Sequence, residues 1–260
     1  MTQPYIGGWI KDLPDARDYR CTSTLQATLP LKVDLRTTYQ TEIYDQGNLG
    51  SCTANAVAAL YNTLRLIQGL EPYPPSRLFI YYNTRVIQNT VKYDSGASIR
   101  NTMKAASQPF VRCRKNCPRG CPAEVLWPYD ITKYKRKPSA VAYANGKDHY
   151  LITYERVNQN LLAIKTALAA NKPIVLGFAV YSSFLTIGSD GIMPIPNIDT
   201  ETLLGGHAVL IVGYDDTMRS FIMQNSWGTS FGDQGYFYGP YDYFTNSNYA
   251  SDFWTATKIT

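Results

Sequence analysis

The chain has 260 residues, 45% of them hydrophobic and 17% charged, with a formal net charge of +5. That length can bury a substantial core, and no run approaches the roughly 18 to 20 consecutive apolar residues of a membrane span. The basic excess is too small and scattered to argue for nucleic acid, although Arg112, Arg114, Lys115 and Arg119 make one local cluster, so neither a membrane protein nor a nucleic-acid binder is expected.

Residues 7–19 carry Trp9, Ile10, Leu13 and Tyr19 to bury, yet the prolines and glycines between residues 4 and 14 discourage a helix, and an extended strap is expected. No basic patch followed by an apolar core opens the chain, so no secretory signal is visible and the compartment stays open. Small and apolar residues at Ala54, Val57, Ala58, Tyr61 and Leu64 recur at helical spacing and stop at Gly69, which predicts a helix over 51–69. Further helices are expected over 76–88, 99–107 and 158–170, and an exposed basic loop over 133–139. Strands are expected over 173–180, 207–214, 220–224 and 235–238, with Asp215, Asp216 and Thr217 as a hairpin turn. The aromatic-rich tail over 236–254 is expected to pack as a surface segment.

Three segments carry chemistry. Cys52 opens the first helix, where aligned peptide dipoles favour a thiolate, and Gln46 lies six positions upstream. A buried structural cysteine is the bland alternative. His207 precedes an apolar strand, and a turn centred between residues 216 and 217 sets it opposite residue 226, within one position of Asn225. The Asn225 oxygen could then accept the imidazole N–H and leave the other ring nitrogen for a thiol. Of five cysteines, the remaining Cys21, Cys113, Cys117 and Cys121 could close two disulfides in an oxidising setting. Cys113, Cys117 and Cys121 could instead hold zinc with Cys21 or His149, but no second close pair completes a ligand set, so neither metal nor cofactor is expected. His149 otherwise reads as a surface or structural residue.

With Gln46 to Cys52, Gly206-His207-Ala208 followed by Val212-Gly213-Tyr214, and Asn225-Ser226-Trp227-Gly228-Thr229 running into Gly232-Asp233-Gln234-Gly235-Tyr236, the chain resembles the papain and cathepsin cysteine peptidases. Residues 29–36 are similar to the start of that family's mature domain. The resemblance implies an α+β, two-lobed papain-like fold, with a helical lobe, a β-barrel lobe and the active-site cleft between them. It implies an endopeptidase working through a thioester, since no His-His loop of the exopeptidase kind is seen. Cys52 would be the nucleophile and rest as an ion pair with His207. Asn225 would orient that histidine under Trp227, and the Gln46 amide with the Cys52 N–H would bind the oxyanion. Gly50, Ser51, Ser95, Gly96, Ala97, Gly205, Gly206 and Trp227 would line the substrate site. Ala97 and Gly205 leave the main pocket roomy, for a bulky apolar or aromatic side chain two residues before the cut.

The implied partners are a peptide or protein substrate and cystatin-like or epoxide inhibitors, and a monomer is expected. Thr53 and Leu49 stand where the family has an aromatic residue and a disulfide-bonded cysteine, so the usual covalent brace of the active-site loop is missing. Cys52 and His207 are further apart than the family's usual spacing of about 130 to 150 residues, and residues 112–121 are the expected insertion. Residues 1–28 form an N-terminal extension far shorter than the family's pro-segments, and residues 29–260 the peptidase domain. The extension either wraps the domain or lies along the cleft as an inhibitor, as in a zymogen, and the blocking role is slightly preferred. Two other classes are weaker. Gly228-Thr229-Ser230-Phe231-Gly232 fits the serine-hydrolase pattern, but no histidine follows Ser230. A non-catalytic scaffold binding peptide or a phosphate-containing ligand would not need the full set Gln46, Cys52, His207 and Asn225.

Overall fold

The computed structural model describes residues 6–22, 28–107 and 120–260. Cys113, Cys117 and the basic cluster at Arg112, Arg114, Lys115 and Arg119 lie outside them, and with them the disulfide and zinc readings. Among the described residues no group of His, Cys, Asp and Glu is arranged to hold a metal, and no helix is long and apolar enough to cross a membrane.

Capping chemistry sets the helix boundaries. Helix α1 spans Cys52–Ile67, α2 Arg77–Gln88 and α3 Ile99–Ala106. The Ser76 and Ser98 side chains accept the N–H groups of Phe79 and Asn101, which stops the free donors at the starts of α2 and α3 going unmet. Asn89 ends α2 in the left-handed conformation, with φ 59°. Helix α1 is buried from Cys52 to Leu64 on every side, because α2 and α3 cover one flank and the sheet the other. Its run of Ala54, Ala56, Ala58 and Ala59 permits that close packing on both sides.

Among the described residues seven strands form one antiparallel sheet. They are β1 (Lys32–Asp34), β2 (Leu151–Arg156), β3 (Ile174–Tyr181), β4 (Leu203–Asp215), β5 (Ser220–Gln224), β6 (Tyr236–Pro240) and β7 (Ala250–Ile259). Their order is β2-β7-β3-β4-β5-β6, with β1 added to β4. Helices α4 (Ala140–Asn145), α5 (Leu161–Ala169) and α6 (Tyr241–Thr245) complete the chain. Alternation along β3 divides the core. Val175 joins the cluster around α1, whereas Ile174, Leu176, Phe178 and Val180 join a second cluster with Phe184, Phe237 and Phe244.

Two expectations need correction. The aromatic tail is not a surface segment: β7 lies between β2 and β3, and Phe237, Phe244, Phe253 and Trp254 are buried. Aromatic surface this large contributes most when it fills a core between a sheet and its helices. The hairpin turn also sits one residue later than expected, since Asp215 pairs with Ser220 around residues 216–219. After an irregularity near Val212, Leu210 pairs with Gln224. Continuing that register sets His207 across from residue 227 rather than 226, with Asn225 two positions away.

Candidate active site

Cys52 begins α1 and is fully buried, with the backbone N–H groups of Ala208, Thr53 and Cys52 itself aimed at its sulfur. The neighbour of Ala208 is His207, also fully buried. Its Nε2–H donates to Asn225 Oδ1 at 2.7 Å, and the Ser226 N–H donates to the same oxygen at 2.8 Å. That second donor fixes the amide so that oxygen faces the ring, which in turn fixes the tautomer with Nδ1 bare. His207 Nδ1 has no hydrogen-bond partner among the described residues. The Trp227 indole lies over the imidazole, ring centres 4.9 Å apart, and is itself edged by Phe184 and Phe231.

Gln46 is drawn to this group by backbone pairing. Its N–H donates to the Ser226 carbonyl and the Gly228 N–H to Tyr44, so the loop before α1 is stitched to the segment after β5. The Gln46 side chain is held at both ends: Nε2 donates to the Leu49 carbonyl at 3.0 Å, and the Ser226 hydroxyl donates to Oε1 at 2.7 Å. Tyr129 donates to the Gln46 carbonyl at 2.9 Å, and its oxygen is 2.5 Å from Ser51 Oγ. Arg77 stacks on Tyr129 and Tyr44, pairs with Glu124 and donates to the Asp45 carbonyl and to Asn55. On the other flank the Asp94 carboxylate accepts the Gly50 N–H at 3.0 Å and the Tyr81 hydroxyl. These charge-assisted bonds brace the loop in which Leu49 replaces a cysteine. The roles of Ser226, Tyr129, Asp94 and Arg77 were not assigned from the sequence. Ser226 lay inside a recognised motif, but the others are joined to the loop only by the fold.

The candidate substrate residues converge, and residues 7–10 lie among them. Gly206 O accepts the N–H groups of Gly7 (3.1 Å) and Trp9 (3.3 Å). Ala97 donates to Gly8 O (2.8 Å) and accepts from Ile10 N–H (2.9 Å), a parallel pairing centred on Trp9. A Cβ on Gly8 would stand 2.7 Å from Gly50 O and 2.9 Å from Cys52 Sγ. A Cβ on Gly96, already at φ +68°, would meet Gly8 O at 2.6 Å, and one on Gly205 would meet Gly7 Cα at 3.1 Å. Ser95 and Ser51 are exceptions, their hydroxyls turned to Thr90 and to Tyr129. Residues 12–20 then cross to the sheet. Asp12 accepts from Arg156, Trp254 Nε1 and the Arg100 N–H, and Asp18 pairs with Arg100 and Arg156. Ile10, Leu13 and Tyr19, expected to be buried, are exposed, so carboxylates and Trp9 hold the strap instead.

Burial beneath residues 7–10 sets the charge state. It pushes the Cys52 thiol up to about 12, outweighing the N–H groups that favour a thiolate, and pushes His207 down to about 4 against the Asn225 hydrogen bond. Burial therefore disfavours the ionised form of both side chains, which opposes the ion pair expected from sequence for as long as the site is covered. His149 is structural, stacked on Tyr73 with ring centres 4.3 Å apart. Ser230 lies in an exposed turn rather than at a strand-to-helix elbow, so the serine-hydrolase pattern lacks its context.

Comparison with known proteins accords with this geometry. Residues 88–252 match the papain family cysteine protease model, a span that includes Ala97, His207 and Asn225 and begins after Cys52. An uncharacterized peptidase C1-like protein of Acanthamoeba polyphaga mimivirus is 37% identical, over 97% of this chain and 87% of that protein. The chain belongs to the papain family of cysteine proteases. Xylellain, a cysteine protease from Xylella fastidiosa, superposes with a TM-score of 0.87 at 39% identity, over 98% of this protease and 96% of that chain. A Carica candamarcensis cysteine protease in complex with E-64 shares the fold at 19% identity and a TM-score of 0.65, over 88% of this protease and 99% of that chain. The two-lobed α+β papain-like architecture and the enzyme class are thus those of the family.

Proposed function

We propose that this protease is an endopeptidase in which Cys52 attacks the scissile carbonyl, forms a thioester and is freed by water. His207 protonates the leaving amine through Nδ1, and Asn225 holds that ring under Trp227. The Gln46 amide and the Cys52 N–H stabilise the oxyanion. The observation that carries this reading is the His207–Asn225 hydrogen bond of 2.7 Å beside the thiol at the start of α1. Residues 7–10 act as a non-covalent inhibitor, giving the protein the character of a zymogen. The Ala97 N–H donates to Gly8 O, and a Cβ on Gly8 would collide with Gly50 O and Cys52 Sγ, which supports a backbone-held blocker over the thiol.

Intramolecular closure needs only modest affinity, because a tethered segment acts at an effective concentration in the millimolar range. Opening would return water to the pair and let the thiolate and imidazolium form. The test uses a thiol-directed epoxide and a fluorogenic peptide on the full chain and on Gly8→Val, whose side chain collides with Gly50 and Cys52. Gly8→Val should be labelled at Cys52 and cut peptide faster. If neither chain is labelled at Cys52, the nucleophile assignment is wrong. A folded Gly8→Val no faster than its parent would overturn the inhibitory role.

A further inference from the structure

Trp9 is the side chain that the strap presents to the cleft wall, and the slot it fills has a specific chemistry. Its floor is made by glycines on adjacent strands, which face the same side of the sheet. A Cβ on Gly177 of β3 would lie 2.0 Å from Trp9 Cε2, and one on Gly206 of β4 would lie 2.7 Å from Cε3. Any other residue at either position would close the space, so the slot is shaped to a flat ring. At its end stands Asp252 of β7, buried and at φ 60°. Oδ2 accepts the indole N–H at 3.1 Å and the Asp12 N–H at 2.8 Å, while Oδ1 faces Arg156 at 3.3 Å. The space continues into a cavity of about 390 Å³ that Ser251 also lines, and the buried Ser251 hydroxyl has no hydrogen-bond partner among the described residues.

Both donors on Asp252 Oδ2 belong to the strap. When the strap leaves, that oxygen loses both, whereas Arg156 stays on Oδ1 and neutralises the carboxylate. The slot then offers an unpaired acceptor but no net negative charge to draw a cation. Its walls are backbone of a paired sheet, with Ala179 opposite Gly206 and Gly177 opposite Ala208, so its shape does not depend on the strap.

We infer that this slot is the main specificity pocket and that Asp252 selects a substrate aromatic ring bearing an edge hydrogen-bond donor, tryptophan ahead of phenylalanine and leucine, at the residue whose peptide groups pair with Ala97. The inference rests on the peptidase reading above and narrows the bulky apolar preference expected from sequence. A phenyl ring in the slot seals Oδ2 from water without supplying a donor, and a site built to bond an N–H discriminates strongly against the analogue that lacks it.

The test measures kcat/KM of the full chain on peptides that differ only in Trp, Phe, Leu or Arg two residues before the cut. Strap opening precedes binding for every peptide, so it scales all the values alike and cancels in their ratios. Trp should exceed Phe by about ten-fold or more. Asp252→Gly, which suits the left-handed backbone, should bring the two within about two-fold, and Asp252→Asn, which retains an oxygen, should keep Trp ahead. Phe, Leu or Arg cut as well as Trp by the parent chain overturns the inference without needing either variant, and so does a ratio unchanged in a folded Asp252→Gly. If the parent cuts none of them, the same series is run on full-length Trp9→Gly. Failure there too, with no epoxide labelling of Cys52, overturns the peptidase reading itself.

Discussion

Residues 7–10 and residues 12–18 hold one strap by opposite means. The first group uses backbone N–H and carbonyl groups against Gly206 and Ala97, with glycines at 8, 96 and 205 allowing the approach. The second uses Asp12 and Asp18 against Arg100 and Arg156, more than eighty residues away in sequence. Bonds of the first kind are available to any extended peptide, so a substrate can compete for them. Bonds of the second kind belong to this chain alone. Position over Cys52 is thus set in one place and the strength of closure in another.

Substitutions can separate the two. Cys52→Ala removes the proposed nucleophile and little packing, so turnover should vanish while the melting temperature holds; appreciable residual hydrolysis in a contaminant-free preparation would overturn the assignment. Asp12→Ala should weaken closure by about 3 kcal/mol, because it removes one member of a buried charge group and strands the Trp254 N–H. Activity should rise by as much as about 100-fold, and unchanged activity with a lowered melting temperature would make residues 12–18 a purely structural clasp. Ser226→Ala frees one end of the Gln46 amide. A loss of about 1 kcal/mol of transition-state stabilisation should lower kcat about five-fold with KM nearly constant, and Ser226→Thr should recover part of it.

The smallest expected effect is that of pH on the strap. His207 is pushed below its ordinary 6.5, to about 4, in the covered state, so the covered form binds fewer protons between those values. In Cys52→Ala, where no thiol can hand its proton to the ring on opening, falling pH therefore favours opening: His207's contribution to closure is complete above about 6.5 and is lost as pH drops towards 4, whereas in the parent the internal proton transfer from Cys52 takes up no proton and leaves little pH dependence in this range. Cys52, raised from 9.0 to about 12, has the reverse sign, and its contribution is lost as pH climbs from 9 towards 12. Hydrogen-exchange protection of the Ala97 N–H in Cys52→Ala, corrected for intrinsic rates, should fall a few-fold between pH 6.5 and 5.5, and a constant value in that variant would uncouple the strap from His207.

The sequence was legible where a single residue type controls a boundary. Ser76, Ser98 and Gly69 stood within a residue or two of real helix ends, and of the motif residues His207 and Asn225 share a hydrogen bond, with Gln46 joined to Ser226 and Cys52 next to Ala208. Strands β2 and β7 were missed for a physical reason. Neither shows clean alternation, because β7 buries both faces and breaks stride at Asp252, while β2 carries mixed polar residues such as Thr153, Glu155 and Arg156. The clasp of Asp12, Asp18, Arg100, Arg156 and Asp252 was invisible for another reason, since charge pairs between distant segments leave no local period. The turn after β4 was misplaced because Asp215, Asp216 and Thr217 all favour turns, and only the register shows that Asp215 still pairs.

Among the described residues, the brace of the loop before α1 contains no sulfur: it is made of Asp94, Tyr81, Tyr129 and Arg77. A thiol nucleophile must be kept reduced to work, and the reductants that protect it attack a disulfide brace if one is present. Here the two requirements do not conflict, so strongly reducing buffer should leave the geometry of the Cys52 loop intact. High ionic strength, which acts on charged groups rather than on a covalent bond, is the condition that would loosen it.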